Sequence, residues 1–258
     1  SGYAVRGLVM RVVISARGYN ETKGGHIVLH KLCDSLLRQG IDAYLRPHQK
    51  HWATCDRYLK QVTDHCLPDD LVIYHNSISG NPWNAKHFAR WMLYTPTRDT
   101  DGILLYYSKQ FGPGPYLRVT DPRLDLFWDH REPRSGTCWA YRKANRQGIK
   151  REHIEERGTE IPRGMPPEPL ASIFNQHERF VCYDGASFLA VQAALCGCDV
   201  IVPEPIGGVF PYPGIATCEA EIDKARAERE QLRAVIMGEW LEQDEKAAEV
   251  IRWCMAQR

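Results

Sequence analysis

The chain has 258 residues, 43% of them hydrophobic and 25% charged, the mix of a globular protein long enough for two domains. Thirty-three Lys and Arg oppose 32 Asp and Glu, and a net charge of +1 argues against a general nucleic-acid binder, whose affinity comes from a basic excess. No apolar run approaches the roughly 20 residues of a membrane span and no signal-peptide pattern opens the chain, so a cytoplasmic location is expected.

Taken in chain order, Met10 to Ser15 (MRVVIS) is a short β-branched run of the kind a buried parallel strand shows. A polar loop with Gly18, Gly24 and Gly25 follows. Ile27, Leu29, Leu32, Leu36 and Leu37 then recur at helical spacing until Gly40 stops the helix. Ala43 to Leu45 and Leu71 to His75 read as strands, Ala85 to Leu93 as a helix, and Gly102 to Tyr107 as a further strand. From Gly112 to Pro133 the chain is rich in Pro, Gly and charge, and periodicity fades. It restarts at Thr137 to Lys143. Arg157 to Pro169 reads as loop, Leu170 to His177 as helix, Phe180 to Tyr183 as strand, Ser187 to Cys196 as helix and Val200 to Val202 as strand. The tail from Glu219 is helical by composition, with Trp240 and Trp253 as its docking residues.

Alternating strands and helices imply βαβ units and parallel sheets. The expected fold is α/β with two Rossmann-like lobes, residues 10–130 and 136–235, and a C-terminal helix over 236–258 crossing back to the first lobe. Ligands of such sheets sit beyond the carboxyl ends of the strands. The nine cysteines form no CxxC pair and no zinc-finger spacing, and reduced thiols are expected. Cys196-Gly197-Cys198 reads as a helix end.

Three stretches carry chemistry. The loop Arg17 to His26 lies between a strand and its helix, where Gly24 and Gly25 let backbone approach an anion. It is neither GxGxxG nor a Walker loop. Tyr141-Arg142-Lys143 places adjacent cations at a strand end, suited to a diphosphate. In the third, a strand delivers Tyr183 and Asp184, Gly185 turns, Ser187 caps a helix, and Gln192 follows on it.

The segment VQAALCGCDVIVPE within this third stretch resembles the donor-nucleotide half of GT-B glycosyltransferases, with Gln192 where retaining members commonly have an acidic residue. LVIYHNSISGNPWNAKHFARWML, with Thr95-Pro96 after it, and GGHIVLHKLCDSLLRQG are similar to stretches of small bacterial and viral glycosyltransferases of unproven activity, as is the Arg142-Lys143 pair opening the second lobe. The resemblance covers scattered blocks from about residue 10 to 222. It implies an enzyme of glycan biosynthesis, moving a sugar from a UDP-, GDP- or dTDP-linked donor to a glycan or lipid-linked acceptor without metal or other cofactor. Gly24, Gly25, Arg142, Lys143, Tyr183, Asp184, Ser187 and Gln192 would hold the donor. His26 would be the general base, and His75, Asn76 and Asn81 would face the acceptor.

Asp99-Thr100-Asp101 is formally the DxD of metal-dependent sugar transferases. Thr95 to Arg98 precedes it and the apolar run comes afterwards, so it reads as a solvated turn. His26 and His30 have i, i+4 spacing but no third metal ligand. Asp56, Asp64 and His65 read as surface. Two other readings are an epimerase-like enzyme on nucleotide sugars, which would turn over without an acceptor, and a non-catalytic sugar- or nucleotide-binding module, which would bind without turnover.

Overall fold

A computed structural model describes residues 10–48, 52–94, 99–154, 157–206, 208 and 210–257. Thr95 to Arg98, which the DxD reading uses, lie outside them. The chain is α/β and divides into two compact units, residues 1–121 with 240–258, and residues 122–239.

The first unit is built on β1 (Val12–Ala16), α1 (Gly24–Arg38), β2 (Ala43–Pro47), β3 (Leu71–His75), β4 (His87–Met92) and β5 (Ile103–Tyr106). The five strands pair in the order β2-β1-β3-β4-β5, all parallel. Every residue of β1 and β3 is buried, which is why both read as continuous apolar runs rather than alternating ones. α1 ends where expected. Gly40 takes φ +72 and Ile41 N–H returns to Leu36 O at 2.9 Å, closing the helix.

Residues Ala85 to Leu93 do not form the expected helix. His87–Met92 is strand β4, hydrogen-bonded between β3 and β5, with Ala89 to Met92 all buried. A run so short, with no solvent face, satisfies its backbone better in a sheet centre than in one and a half turns of helix. Its Arg90 is fully buried, with its guanidinium donating to Asp101 Oδ1 (2.6 Å), Ile78 O (2.8 Å) and Gly80 O (2.7 Å). Asp99 accepts from Gly80 N–H. The two acids of the DxD thus brace the loop after β3, although the Asp101 side chain remains 52% exposed.

The second unit holds β6 (Thr137–Ala140), β7 (Thr159–Glu160), α2 (Pro167–Gln176), β8 (Arg179–Cys182), α3 (Leu189–Leu195), β9 (Asp199–Ile201) and α4 (Ile222–Ala227). Its strands pair in the order β7-β6-β8-β9, again all parallel. The stretch Arg157 to Pro169 is therefore not loop throughout. The two residues of β7 add an edge strand, and Pro167, compatible with a first helical turn, opens α2. In the third stretch the chain passes close to itself at Gly185, where a Cβ would lie 2.1 Å from Glu204 O. Only glycine fits.

α5 (Arg229–Ala256) is a single long helix, packing Leu232 and Ile236 into the second unit's core and Ala247, Ala248, Ile251 and Cys254 into the first's. Trp240 and Trp253 are 42% and 43% exposed, so these small and aliphatic residues dock the helix instead. Lys31, itself buried on α1, donates to Asp34 (2.8 Å) and to Asp244 of α5 (3.2 Å). Among the described residues no helix is long and apolar enough to cross a membrane. All nine cysteines are free.

Arg90→Met would remove a buried guanidinium that serves Asp101, Ile78 O and Gly80 O, and should lower unfolding free energy by about 3 kcal/mol in denaturant titrations. Asp101→Asn, at a partly exposed site, should cost far less.

Candidate functional site

In both sheets the strand order reverses once, between β1 and β3 in the first unit and between β6 and β8 in the second. Connections leave such a point towards opposite faces, so a crevice stays open outside the carboxyl ends of those two strands. The residues immediately past those ends are the ones to examine.

In the first unit they are Arg17 and Gly18 after β1 and His75 and Asn76 around the end of β3. β1 and β3 run in register from Val12 opposite Leu71 to Ile14 opposite Ile73, which brings the chain just past Ala16 beside His75. His48, following β2, donates its N–H to Ala16 O (3.2 Å) and hydrogen-bonds Ser15 Oγ through Nε2. Its ring lies edge-on to His75 at 6.1 Å and stacks on Trp83 at 4.9 Å.

The histidine tautomers follow from their partners. His26 Nδ1 lies 2.7 Å from Gly18 O, a pure acceptor, so Nδ1 carries the proton and Nε2 presents a lone pair. His30 Nε2 similarly donates to Arg17 O at 2.9 Å, so His30 pins the loop. For His75, Ser77 N–H points at Nδ1 (3.4 Å) and the Ser77 hydroxyl lies 2.8 Å from it, which leaves the proton on Nε2. That Nε2 is buried without a hydrogen-bond partner among the described residues. Burial is the main cause that lowers the pKa of all three of His26, His48 and His75, and Arg17 lowers each further. His75 falls to about 4.

Gly24 and Gly25 are exposed at the start of α1, with open space where a Cβ would stand. No side chain caps that helix and no acid lies in its first turn, so its positive end is uncompensated. Asn76 donates its N–H to Trp91 O at 3.0 Å. Asn81 is used within its own loop: its side chain accepts from Tyr74 OH and Ala85 N–H (both 2.9 Å) and donates to Ala85 O (2.8 Å).

In the second unit the reversal brings together Arg142 and Lys143, after β6, with Tyr183 and Asp184, after β8. Asp184 is buried, and its charge acts on both cations. Burial is the larger influence and lowers the pKa of both Arg142 and Lys143, which Asp184 partly offsets. Arg142 has φ +46, an uncommon conformation for a side-chain-bearing residue, and its Nε is buried without a partner. Arg163 donates to the Arg142 carbonyl and so holds that turn. Beside it lies a cavity of about 350 Å³ lined by Tyr141, Arg142, Arg151, Glu160, Ile161, Pro162 and Arg163. Arg151 pairs with Glu160 and lies over the Trp139 ring at 5.7 Å.

Ser187 precedes α3 rather than occupying its cap position, although its Oγ accepts from Leu189 N–H at 3.3 Å and its N–H donates to Asp184 O at 2.9 Å. Gln192 sits in the middle of α3, partly buried and away from the turn. Arg17 opens the loop that the sequence singles out but carries no role there, and His48, Arg151 and Arg163 have no spacing that marks them. The signal that finds them is strand order: each lies within the loops that leave the carboxyl ends of the parallel strands. Among the described residues, no group of three His, Cys, Asp or Glu is placed to hold a metal ion.

No known protein family matches the chain, and no curated protein is significantly similar to it.

The depressed pKa of His75 has a consequence for stability. The folded protein favours the neutral ring, so this contribution is complete above the unfolded value near 6.5 and is lost as pH falls through about 4. Denaturant midpoints of the wild type should therefore drop more steeply between pH 7 and pH 4.5 than those of His75→Gln.

Proposed function

We propose that this protein is a GT-B-type glycosyltransferase that moves a sugar from a nucleoside-diphosphate sugar to a glycan or lipid-linked acceptor. The observation that carries the reading is the arginine-lined cavity at the carboxyl edge of the second sheet, with Arg142, Arg151 and Arg163 around it and Lys143 beside it. A diphosphate leaving group needs fixed positive charge close by, and paired guanidinium groups supply it with directed hydrogen bonds. Arg142 Nε, buried and without a partner, is a donor suited to a phosphate oxygen. Chain cations, rather than a metal, would take the charge. Asp184 would orient Arg142 and Lys143, and the Tyr183-to-Ser187 turn would contact nucleotide or sugar.

In this reading the first unit receives the acceptor. The acceptor oxygen forms a bond to the anomeric carbon, the bond from that carbon to the diphosphate breaks, and the nucleoside diphosphate departs with the electron pair. His26 Nε2 would take the acceptor proton, for which its tautomer and lowered pKa suit it at neutral pH.

A thermal-shift screen with UDP, GDP, dTDP, CMP and NAD tests the donor half. A ligand at 100 times its dissociation constant stabilises by about 2.7 kcal/mol, enough to move a melting point by several degrees. One nucleoside diphosphate should give that shift, and Arg142→Ala or Arg163→Ala should abolish it. A shift with NAD alone, or with no diphosphate, overturns the proposal. With an acceptor in hand, His26→Ala should lower kcat by about 10²- to 10⁴-fold while donor binding stays unchanged.

A further inference from the structure

His75 poses a specific question. It is only 5% exposed, its Nδ1 is engaged by Ser77, and the proton that this leaves on Nε2 meets no acceptor among the described residues. A buried N–H without a partner costs stability that folding alone does not repay, so an acceptor supplied from outside is the natural complement. The ring sits at the strand-order reversal of the first sheet, where the chain leaves β1 at Arg17.

Arg17 adds the second half of the argument. It is exposed, its backbone carbonyl is held by His30, and its guanidinium makes no ion pair or hydrogen bond among the described residues. It is the first residue past β1, whose register with β3 sets the end of β1 beside His75, and its charge acts on His26, His48 and His75 alike. Among the described residues, the charged groups that act most on these three rings are cations or other histidines: Arg17, Lys23, Arg46, His26 and His48. Arg46 is otherwise engaged, stacked over Trp83 at 4.0 Å and donating to Cys66 Sγ at 3.1 Å.

We infer that the crevice at the carboxyl ends of β1 and β3 binds a phosphate group through the Arg17 guanidinium and His75 Nε2–H, and that the acceptor handled by the first unit is a phosphorylated one. The acceptor clause rests on the glycosyltransferase reading. The phosphate site does not. Phosphate has oxygens enough to meet both the guanidinium fork of Arg17 and the His75 N–H, and its greater negative charge suits a place where cations and histidines predominate. The site is separate in sequence and in unit from the arginine-lined cavity, so the two can be tested independently.

The experiment is a titration of the full-length chain with inorganic phosphate, followed through the ¹⁵N–¹H resonances of its histidine rings. Phosphate should shift the His75 Nε2–H signal saturably. Arg17→Ala, at an exposed position that does not endanger folding, should weaken binding by about tenfold or more. Arg142→Ala should leave it unchanged, and glucose 6-phosphate should compete where glucose does not. The phosphate site is overturned if no saturable shift appears, if Arg17→Ala binds as tightly as wild type, or if Arg142→Ala removes the response. Failure of glucose 6-phosphate to compete overturns the phosphorylated acceptor. A nucleotide screen that fails while this titration succeeds removes the donor reading and leaves the phosphate site standing.

Discussion

A parallel sheet whose strand order reverses cannot cover its own carboxyl edge at the point of reversal. The connections after the two flanking strands depart to opposite faces, and the residues that begin them must turn without a neighbour crossing above. Both sheets of this chain contain one such point. His75 closes β3 itself, while Arg17, Arg142 and Asp184 stand one or two residues past the ends of β1, β6 and β8. Placing them there has a cost in desolvation, visible in the lowered pKa values of His75 and Arg142. The positive φ of Arg142 adds local strain at the same place.

Following hydrogen-bond capacity separates residues that build the fold from those that remain available. Arg90 is the most buried cation among the described residues, yet its nitrogens are engaged by Asp101, Ile78 and Gly80. Asn81 and His30 are likewise occupied in holding loops. Lys31, Asp34 and Asp244 form a closed network that ties α5 to α1. By contrast, His75 Nε2 and Arg142 Nε are buried and unmatched. Other buried atoms, Trp52 Nε1 and Trp139 Nε1 among them, are unmatched too; what sets His75 and Arg142 apart is their place at or just past the ends of the strands that flank each reversal of strand order.

How far the sequence revealed this depends on the kind of signal. β1 and β3 are legible because both faces are buried, which demands β-branched, uninterrupted apolar runs. β4 is not, since His87-Phe88-Ala89-Arg90-Trp91-Met92 mixes aromatic, charged and small residues, and its buried arginine disguises a sheet-centre strand as an amphipathic helix. β7 is only two residues long and has no periodicity to detect. Arg142, Lys143 and Asp184 were visible as polar groups closing strands that could be recognised. Arg163 is hidden in a Pro-rich stretch whose strand is not legible, and Arg151 lies in the segment before it. His48 was overlooked because a lone histidine after a short strand carries no pattern; only its approach to Ser15 and His75 distinguishes it.

The same electrostatics links the two roles assigned to the first unit. Arg17 helps hold His26 and His75 neutral, and a neutral His26 keeps the Nε2 lone pair that a general base requires. A phosphate bound at Arg17 would cancel part of that positive charge and move both rings back towards their ordinary pKa near 6.5. For a base, that shift raises proton affinity at the moment when the group to be deprotonated arrives, while pH 7 still leaves the ring largely unprotonated. Arg17 thus favours the neutral form of the base, and an anionic acceptor would strengthen it. A neutral acceptor would leave His26 weaker, so selectivity for charge would extend from binding into the chemical step itself.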